Sequence, residues 1–131
     1  MAEADLLRAI FEAIAENYPL PSDDSAYIAS TLTALPGITV IAEIQLVDER
    51  STYYVAEVYA DAAPKCTYAW EFTNYLGPGY EQFLRYIGNH HKFTRRLRLK
   101  GGSKIRLLIY NSGSEPQEID FYVDMWARTR R

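Results

Sequence analysis

The sequence has one cysteine, two histidines and no motif that fixes a reaction. A lone cysteine, Cys66, cannot form an internal disulfide, which argues against a disulfide-stapled secreted scaffold. The chain contains no nucleophile elbow, phosphate-binding loop, dinucleotide fingerprint or His-Glu-x-x-His zinc motif. No Cys, Asp or Glu accompanies His90 and His91 at metal-ligand spacing. We therefore expect a protein that is not an enzyme and that needs neither a cofactor nor a metal.

Long hydrophobic runs are also missing. The longest uncharged stretch, residues 25–42, contains Ser and Thr residues and the break Pro36-Gly37, so we expect no membrane span. The first residues are acidic, at Glu3 and Asp5, where a secretory signal would be basic. These absences predict a soluble protein made in the cytoplasm.

The composition is that of a folded domain that leans towards β-structure. Hydrophobic residues make up 48% and charged residues 24% of the 131 residues, which excludes a disordered tail and favours a single domain, 1–131. Eleven Tyr, five Phe and two Trp favour pleated, half-buried surfaces. The low Met and Cys counts, with more Arg than Lys, are compatible with a thermophile source.

The formal net charge of −3 conceals two oppositely charged parts. Residues 1–91 contain four Lys and Arg against thirteen Asp and Glu, a net charge of −9. Residues 92–131 contain ten against four, a net charge of +6. Such asymmetry indicates an anionic partner for the basic end, attraction between neighbouring subunits, or neutralisation within one domain.

Hydrophobic spacing predicts an N-terminal helical segment, 1–37, ahead of a β domain, 38–131. The first helix is expected within residues 3–17, because its apolar residues recur at intervals of three and four. These residues are Leu6, Leu7, Ile10, Phe11 and Ile14. A second helix is predicted in residues 22–35, although their Ser and Thr content would also suit a strand.

Alternating apolar and polar residues predict six strands in the β domain. They cover residues 38–46, 53–60, 66–72, 93–100, 104–111 and 117–126. We expect the first two to form a hairpin and the last three a meander, with a short helix in residues 80–87. The predicted fold is mainly β (α+β): an antiparallel β-sandwich or jelly-roll-like sheet packed by an N-terminal amphipathic helix.

A basic stripe is expected on one hairpin of this meander. With Leu97, Leu99 and Ile105 turned inward, alternation places a set of basic residues together on the opposite face. These residues are Arg96, Arg98, Lys100, Lys104 and Arg106. Three interpretations stay open: a ladder with the acidic residues of the next strand, an acidic protein partner, or nucleic acid. Nucleic acid is the least expected, because few aromatic residues are interleaved for base stacking.

The C-terminal tail is a separate basic cluster of Arg128, Arg130 and Arg131. It is either a frayed end or, when ordered, a binder of carboxylates or phosphates on a neighbouring molecule.

Surplus tyrosine gives the last indication of function. Eleven tyrosines are too many for one small core, so several are expected at the surface, where they favour protein interfaces. A carbohydrate-binding or small-ligand-binding β-sandwich would use exposed rings similarly.

The helix around Leu6 to Ile14, followed by strands ending at Trp126, resembles in architecture the small accessory virion proteins of tailed phages, of the capsid decoration or tail-terminator type. The resemblance implies a non-enzymatic, oligomeric structural subunit that binds neighbouring subunits through β surfaces and charged ends, in a virion. It includes no diagnostic motif, so no functional residue follows from it. Self-assembly or a larger protein complex is therefore the expected role, and a sugar- or small-ligand-binding module is the alternative.

Overall fold

Nine strands are present in the computed structural model, which describes residues 6–10 and 16–129. Within the described part, residues 6–10 and 16–17 are helical. The strands are β1 (Asp24–Ser25), β2 (Ile28–Ala34), β3 (Thr39–Gln45), β4 (Ser51–Ala60), β5 (Cys66–Gly77), β6 (Tyr80–Ile87), β7 (His90–Lys100), β8 (Lys104–Asn111) and β9 (Gln117–Thr129).

The strands form two antiparallel sheets. A five-stranded sheet has the order β1-β9-β4-β7, with β2 also paired to β9, and a four-stranded sheet has the order β3-β8-β5-β6. The pairs β2·β9, β3·β8, β4·β7 and β5·β6 are successive rungs of one long antiparallel ribbon wound around itself. This is the jelly-roll form of a sandwich. The prediction of a mainly β, antiparallel sandwich with an N-terminal helix is confirmed.

The core lies between the inner faces of the two sheets. Alternate residues of β8 and β9 are buried there, as the sequence pattern predicted. Trp70 and Phe72 of β5 are the largest fully buried side chains and join the two sheets in one cluster. Each sheet therefore covers the inner face of the other.

Two predicted helices are wrong. Residues 22–35 contribute β1 and β2, which pair with β9, and residues 80–87 form β6, which pairs with β5. The apolar residues of these segments fit helical spacing, but each segment finds a neighbouring strand to pair with along one side, β9 for β2 and β5 for β6, so the tertiary context prevails. The proposed boundary between a helical segment, 1–37, and a β domain therefore does not hold.

The N-terminal helix does not cover the core with its described residues. Leu6, Leu7 and Ile10 are exposed, because the two sheets already cover each other. The predicted contributions of Phe11 and Ile14 lie outside the described residues. No helix in the described ranges is long and apolar enough to cross a membrane.

The predicted strand partners are also wrong. β3 pairs with β8 rather than with β4, and β7, β8 and β9 are not hydrogen-bonded to one another. The connections from β3 to β4, from β7 to β8 and from β8 to β9 cross between the sheets, which is the usual consequence of jelly-roll winding.

Candidate functional site

The predicted basic stripe is divided between two surfaces. Arg96, Arg98 and Lys100 lie on β7, and Arg128 lies on β9 of the same five-stranded sheet. Lys104 and Arg106 lie on β8 in the other sheet, because the turn after Lys100 crosses the sandwich. One hairpin therefore does not present all five residues, and the stripe as predicted is wrong. Arg130 and Arg131 lie outside the described residues.

The predicted ladder between the basic stripe and the acidic residues of β9 does not form. β4 lies between β7 and β9, so the acidic residues of β9 do not face the arginines of β7. Asp120 of β9 instead accepts a hydrogen bond from Thr31. Cross-strand pairing of basic and acidic side chains is found at Arg106, with carboxylates of β3 and β5.

Four charged residues of alternating sign cross the outer face of the four-stranded sheet. This charge row consists of Glu43, Arg106, Glu71 and Arg85, aligned by the pairing of β3, β8, β5 and β6. Arg106 lies 3.7 Å from Glu71 and 4.0 Å from Glu43, and Arg85 lies 3.6 Å from Glu71. Glu71 is only 7% exposed. The row thus holds the four strands in register by opposite charges.

An aliphatic row lies two residues along the strands from the charge row. It consists of Ile41, Leu108, Ala69 and Ile87, again aligned by strand pairing. Ile41 is 45% exposed and Ile87 is 71% exposed. A shallow cavity of about 250 Å³ lies along this row beside Tyr110. The outer face of the four-stranded sheet is therefore apolar in one row and ionic in the next.

A second feature, which we term the guanidinium pocket, lies on the outer face of the five-stranded sheet. Arg95, Arg96 and Arg98 line a cavity of about 340 Å³ together with Tyr54 and Glu16. The strands β4 and β7 are in register at Val55↔Leu97 and Glu57↔Lys92, so Ala56 alone faces residues 93–96. This irregular bulge, with four residues opposite one, lets the sequence neighbours Arg95 and Arg96 line the same cavity.

Arg128 is fixed beside this pocket by an ion pair that the sequence did not reveal. Its Nε and Nη2 donate to Asp23 Oδ1 and Oδ2 at 2.9 and 2.8 Å, and its guanidinium lies over the Tyr54 ring. The Asp23 carboxylate is 1% exposed and also accepts a hydrogen bond from the Leu20 backbone N–H. These bonds, those from Arg128 above all, hold the pKa of Asp23 below its ordinary value.

The D23N substitution is expected to lower the free energy of unfolding at pH 7 by about 2 kcal/mol, because it breaks a bidentate bond to a buried carboxylate. The pKa of Asp23 is lower in the folded state, so its stabilising contribution is present above the unfolded pKa of about 3.9 and is lost as the pH falls through the folded pKa. Urea unfolding at pH 7 and pH 3 should show the difference between D23N and wild type shrinking at the lower pH. D24N, at an exposed neighbour with no ion pair to a described residue, is the control. A difference that is independent of pH would contradict the assignment.

Three tyrosines form a stack elsewhere on the five-stranded sheet. Tyr122 lies between Tyr27 and Tyr59, with ring centroids 5.8 and 5.3 Å away, and Tyr59 meets the edge of His90. A groove of about 510 Å³ runs beside them. Burial, together with the hydrogen bond donated to Glu57, raises the pKa of Tyr122 to about 12. Tyr122 is thus the middle ring of the stack, and Tyr27, at one end, is 53% exposed.

Cys66, His90 and His91 each contact other residues of the fold. Burial raises the pKa of the Cys66 thiol, and Cys66 packs against the core as a small apolar side chain. His90 and His91 point to opposite faces of β7, where His90 contacts Glu57 and His91 contacts the Tyr86 ring. The described ranges contain no group of three or more His, Cys, Asp or Glu residues that could hold a metal ion.

The sequence interpretation missed the two features that make these surfaces distinctive. It left Arg95 out of the basic set because strict alternation turns it away from Arg96, and a bulge is not visible in the sequence. It also treated 80–87 as a helix, which hid Arg85 and Ile87 at the ends of the charge and aliphatic rows. Compared with protein-family models, curated proteins and solved structures, the chain gives no match.

Proposed function

We propose that the chain is a non-enzymatic assembly subunit that binds a second copy of itself through the outer face of the four-stranded sheet. The observation that carries the proposal is the charge row, whose signs alternate across four strands. This order makes the face electrostatically complementary to its own two-fold rotated copy. The row of exposed aliphatic residues beside it supplies the apolar contact.

The complementarity follows from the order of the strands. Consider a two-fold axis in the interface, parallel to the strands and passing between β8 and β5. It places β3 of one copy opposite β6 of the other, and β8 opposite β5. Glu43 then faces Arg85 of the second copy, and Arg106 faces Glu71. Every charge in the row meets the opposite charge, as an isologous interface requires.

The same axis brings the aliphatic rows together. Leu108 faces the small residue Ala69 of the second copy, and Ile41 faces Ile87. A large side chain opposite a small one allows the two faces to interdigitate. The outer face, four strands wide and about seven residues long, measures about 20 by 23 Å. Two such faces bury roughly 900 Å² in total, which is below the range of stable interfaces, so we expect a weak, reversible dimer.

Charge reversal at the two ends of the row tests the proposal. E43R and R85E should each convert the dimer to a monomer, because like charges would then face each other across the interface. The double variant E43R/R85E should dimerise again, since the reversed charges meet between copies. Within one copy the two residues lie three strand spacings apart, about 14 Å, so they cannot rescue each other internally.

Sedimentation velocity at protein concentrations up to about 100 µM suits an interface of this size. E115R, in the exposed loop before β9, is the control for net charge and should leave the dimer unchanged. A monomeric wild type would overturn the proposed dimer. So would a failure of rescue, in which E43R, R85E and the double variant E43R/R85E are all monomeric.

We further propose that the assembly to which the chain belongs is a virion, of which the chain is an accessory protein. Jelly rolls occur in viral capsid domains and also in lectins, so the fold is compatible with this role without deciding it. The outer faces left free by the sandwich suit a subunit that contacts several neighbours. If the chain is a virion protein, mass spectrometry of purified virus particles from the organism that encodes it should detect the chain.

The carbohydrate-binding alternative rests on the tyrosine stack and stays a prediction. Sugar binding by stacking requires open aromatic faces, whereas Tyr122 has Tyr27 on one side and Tyr59 on the other. Stacking on a sugar would therefore fall to an outer ring of the stack such as Tyr27, which is 53% exposed, and Y27A should abolish glycan binding if this alternative is right.

A further inference from the structure

The guanidinium pocket points to a function beyond self-assembly. We propose that it binds the phosphate group of a small phosphorylated ligand. The pocket lies on the five-stranded sheet, on the opposite side of the sandwich from the proposed dimer face. A failure of the proposed dimer would therefore leave the proposed phosphate site untouched, and the reverse also holds.

The first argument is that the arginines of the pocket have no counter-charge among the residues that the structure describes. Arg95, Arg96 and Arg98 make no ion pair with a described residue, whereas Arg85, Arg106 and Arg128 each do. Among the described residues that line the cavity, Glu16 is the one carboxylate, and it is exposed. The described lining of the cavity thus holds three arginines against one carboxylate, an excess of positive charge.

The second argument is a pair of buried donors beside the pocket. Trp126 is 8% exposed, and its indole N–H has no hydrogen-bond acceptor among the described residues. The Nε of Arg96, whose guanidinium lies over the Trp126 ring, is likewise buried without an acceptor. Buried donors without acceptors are rare in folded proteins, and an ordered water or an anion that accepts hydrogen bonds accounts for them. Trp126 does not line the cavity itself but stacks on Tyr54, which does. A phosphate supplies several acceptor oxygens and no obligatory donor.

The size and shape of the cavity narrow the class of ligand. A volume of about 340 Å³ is at the lower end of small-molecule sites. Planar guanidinium groups match two phosphate oxygens at a time, which favours a phosphate over a single-point anion such as chloride. Pyrophosphate and nucleotide phosphates share this chemistry, and so does the backbone of a single-stranded nucleic acid.

Isothermal titration with inorganic pyrophosphate, at constant ionic strength set by chloride, tests the pocket. Wild type should bind, and R98Q should weaken binding about tenfold or more, the effect of losing one charge-assisted hydrogen bond. R95Q should do the same. Arg96 is unsuited to substitution because its Nη1 also donates to the Phe93 carbonyl and so shapes the bulge.

K100Q is the matched control, since Lys100 is exposed on the same strand but does not line the cavity. It should leave pyrophosphate binding unchanged. Equal weakening by K100Q and R98Q would overturn the pocket in favour of general attraction to a basic surface. Absence of pyrophosphate binding would overturn it too.

A short single-stranded oligonucleotide, titrated in parallel, distinguishes the source of the phosphate. A small phosphorylated ligand predicts that pyrophosphate binds more tightly than the oligonucleotide at the same ionic strength. Tighter oligonucleotide binding that also depends on Arg95 and Arg98 would overturn the small ligand in favour of a nucleic-acid backbone. The dimer variants E43R and R85E should bind pyrophosphate like wild type, whatever their oligomeric state.

Discussion

Replacing Gly101 by alanine is expected to lower the free energy of unfolding by about 3 kcal/mol, at the upper end of what overpacking usually costs. A Cβ atom at this position would lie 1.9 Å from the Asp48 carbonyl oxygen and 2.6 Å from Glu49 Cα. Both are backbone atoms, so no side-chain rotation relieves the contact. The turn must then move away from the loop that it touches.

That movement breaks hydrogen bonds that join the two sheets at this end. The backbone N–H of Gly101 donates to Ser51 O at 2.9 Å, and that of Gly102 donates to Leu46 O at 2.6 Å. Ser51 begins β4 in one sheet, whereas Leu46 follows β3 in the other. The close approach at Gly101 therefore fixes where the chain crosses the sandwich.

Urea unfolding of G101A and G79A measures this effect. Gly79 has a positive φ of 77°, but a Cβ atom at this position would have open space for 4 Å around it. G79A therefore costs only backbone strain, about 1 kcal/mol. G101A should be clearly the less stable variant. Equal destabilisation by the two would show that the contact with Asp48 is not tight.

Asn111 to alanine is expected to have a comparable effect, about 3 kcal/mol, for an opposite reason: it removes atoms that buried groups need. Asn111 is fully buried at the end of β8. Its Nδ2 donates to Ala34 O at 3.0 Å and to Glu115 O at 2.7 Å, while its Oδ1 accepts from Gly113 N at 2.8 Å. One side chain thus ties the end of β2 to the loop between β8 and β9.

The control is Ser112, the exposed neighbour, whose hydroxyl donates to Lys65 O. S112A should cost less than about 1 kcal/mol, because water can replace an exposed hydrogen bond. N111D separates the roles of the two side-chain ends: it keeps an acceptor for Gly113 and loses both donations, so most of the destabilisation should remain. An N111A variant as stable as S112A would contradict the role assigned to Asn111.

The sequence predicted which side of each strand faces the core better than it predicted which strands are partners. Inward residues of β8 and β9, such as Ile105 and Ile119, follow from strict alternation, and both are fully buried. Alternation is a local property, so it survives any choice of partner. Pairing is decided by long-range contacts, and in this jelly roll most strands that follow each other in the chain, apart from β1 with β2 and β5 with β6, lie in different sheets.

The same limit explains what was missed at the candidate sites. The sequence identified Arg96 and Arg98 as candidate binding residues. Arg95 lines the same cavity only because of the bulge opposite Ala56. Likewise, Glu71 and Arg106 form one row only because β5 and β8 are neighbours. An apolar residue every three or four positions in 80–87 satisfied a helix pattern, while the edge of β5 required a strand.

The alternating order of the charge row has a consequence for unwanted assemblies. If two faces slide sideways by one strand spacing, Arg106 meets Arg85 of the other copy, and Glu71 meets its own counterpart. The row therefore opposes staggered stacking by repulsion while it stabilises the aligned pair. Because the misaligned arrangement is the one that leaves part of each face free to add further copies, the four charges favour a closed dimer over an open-ended fibre.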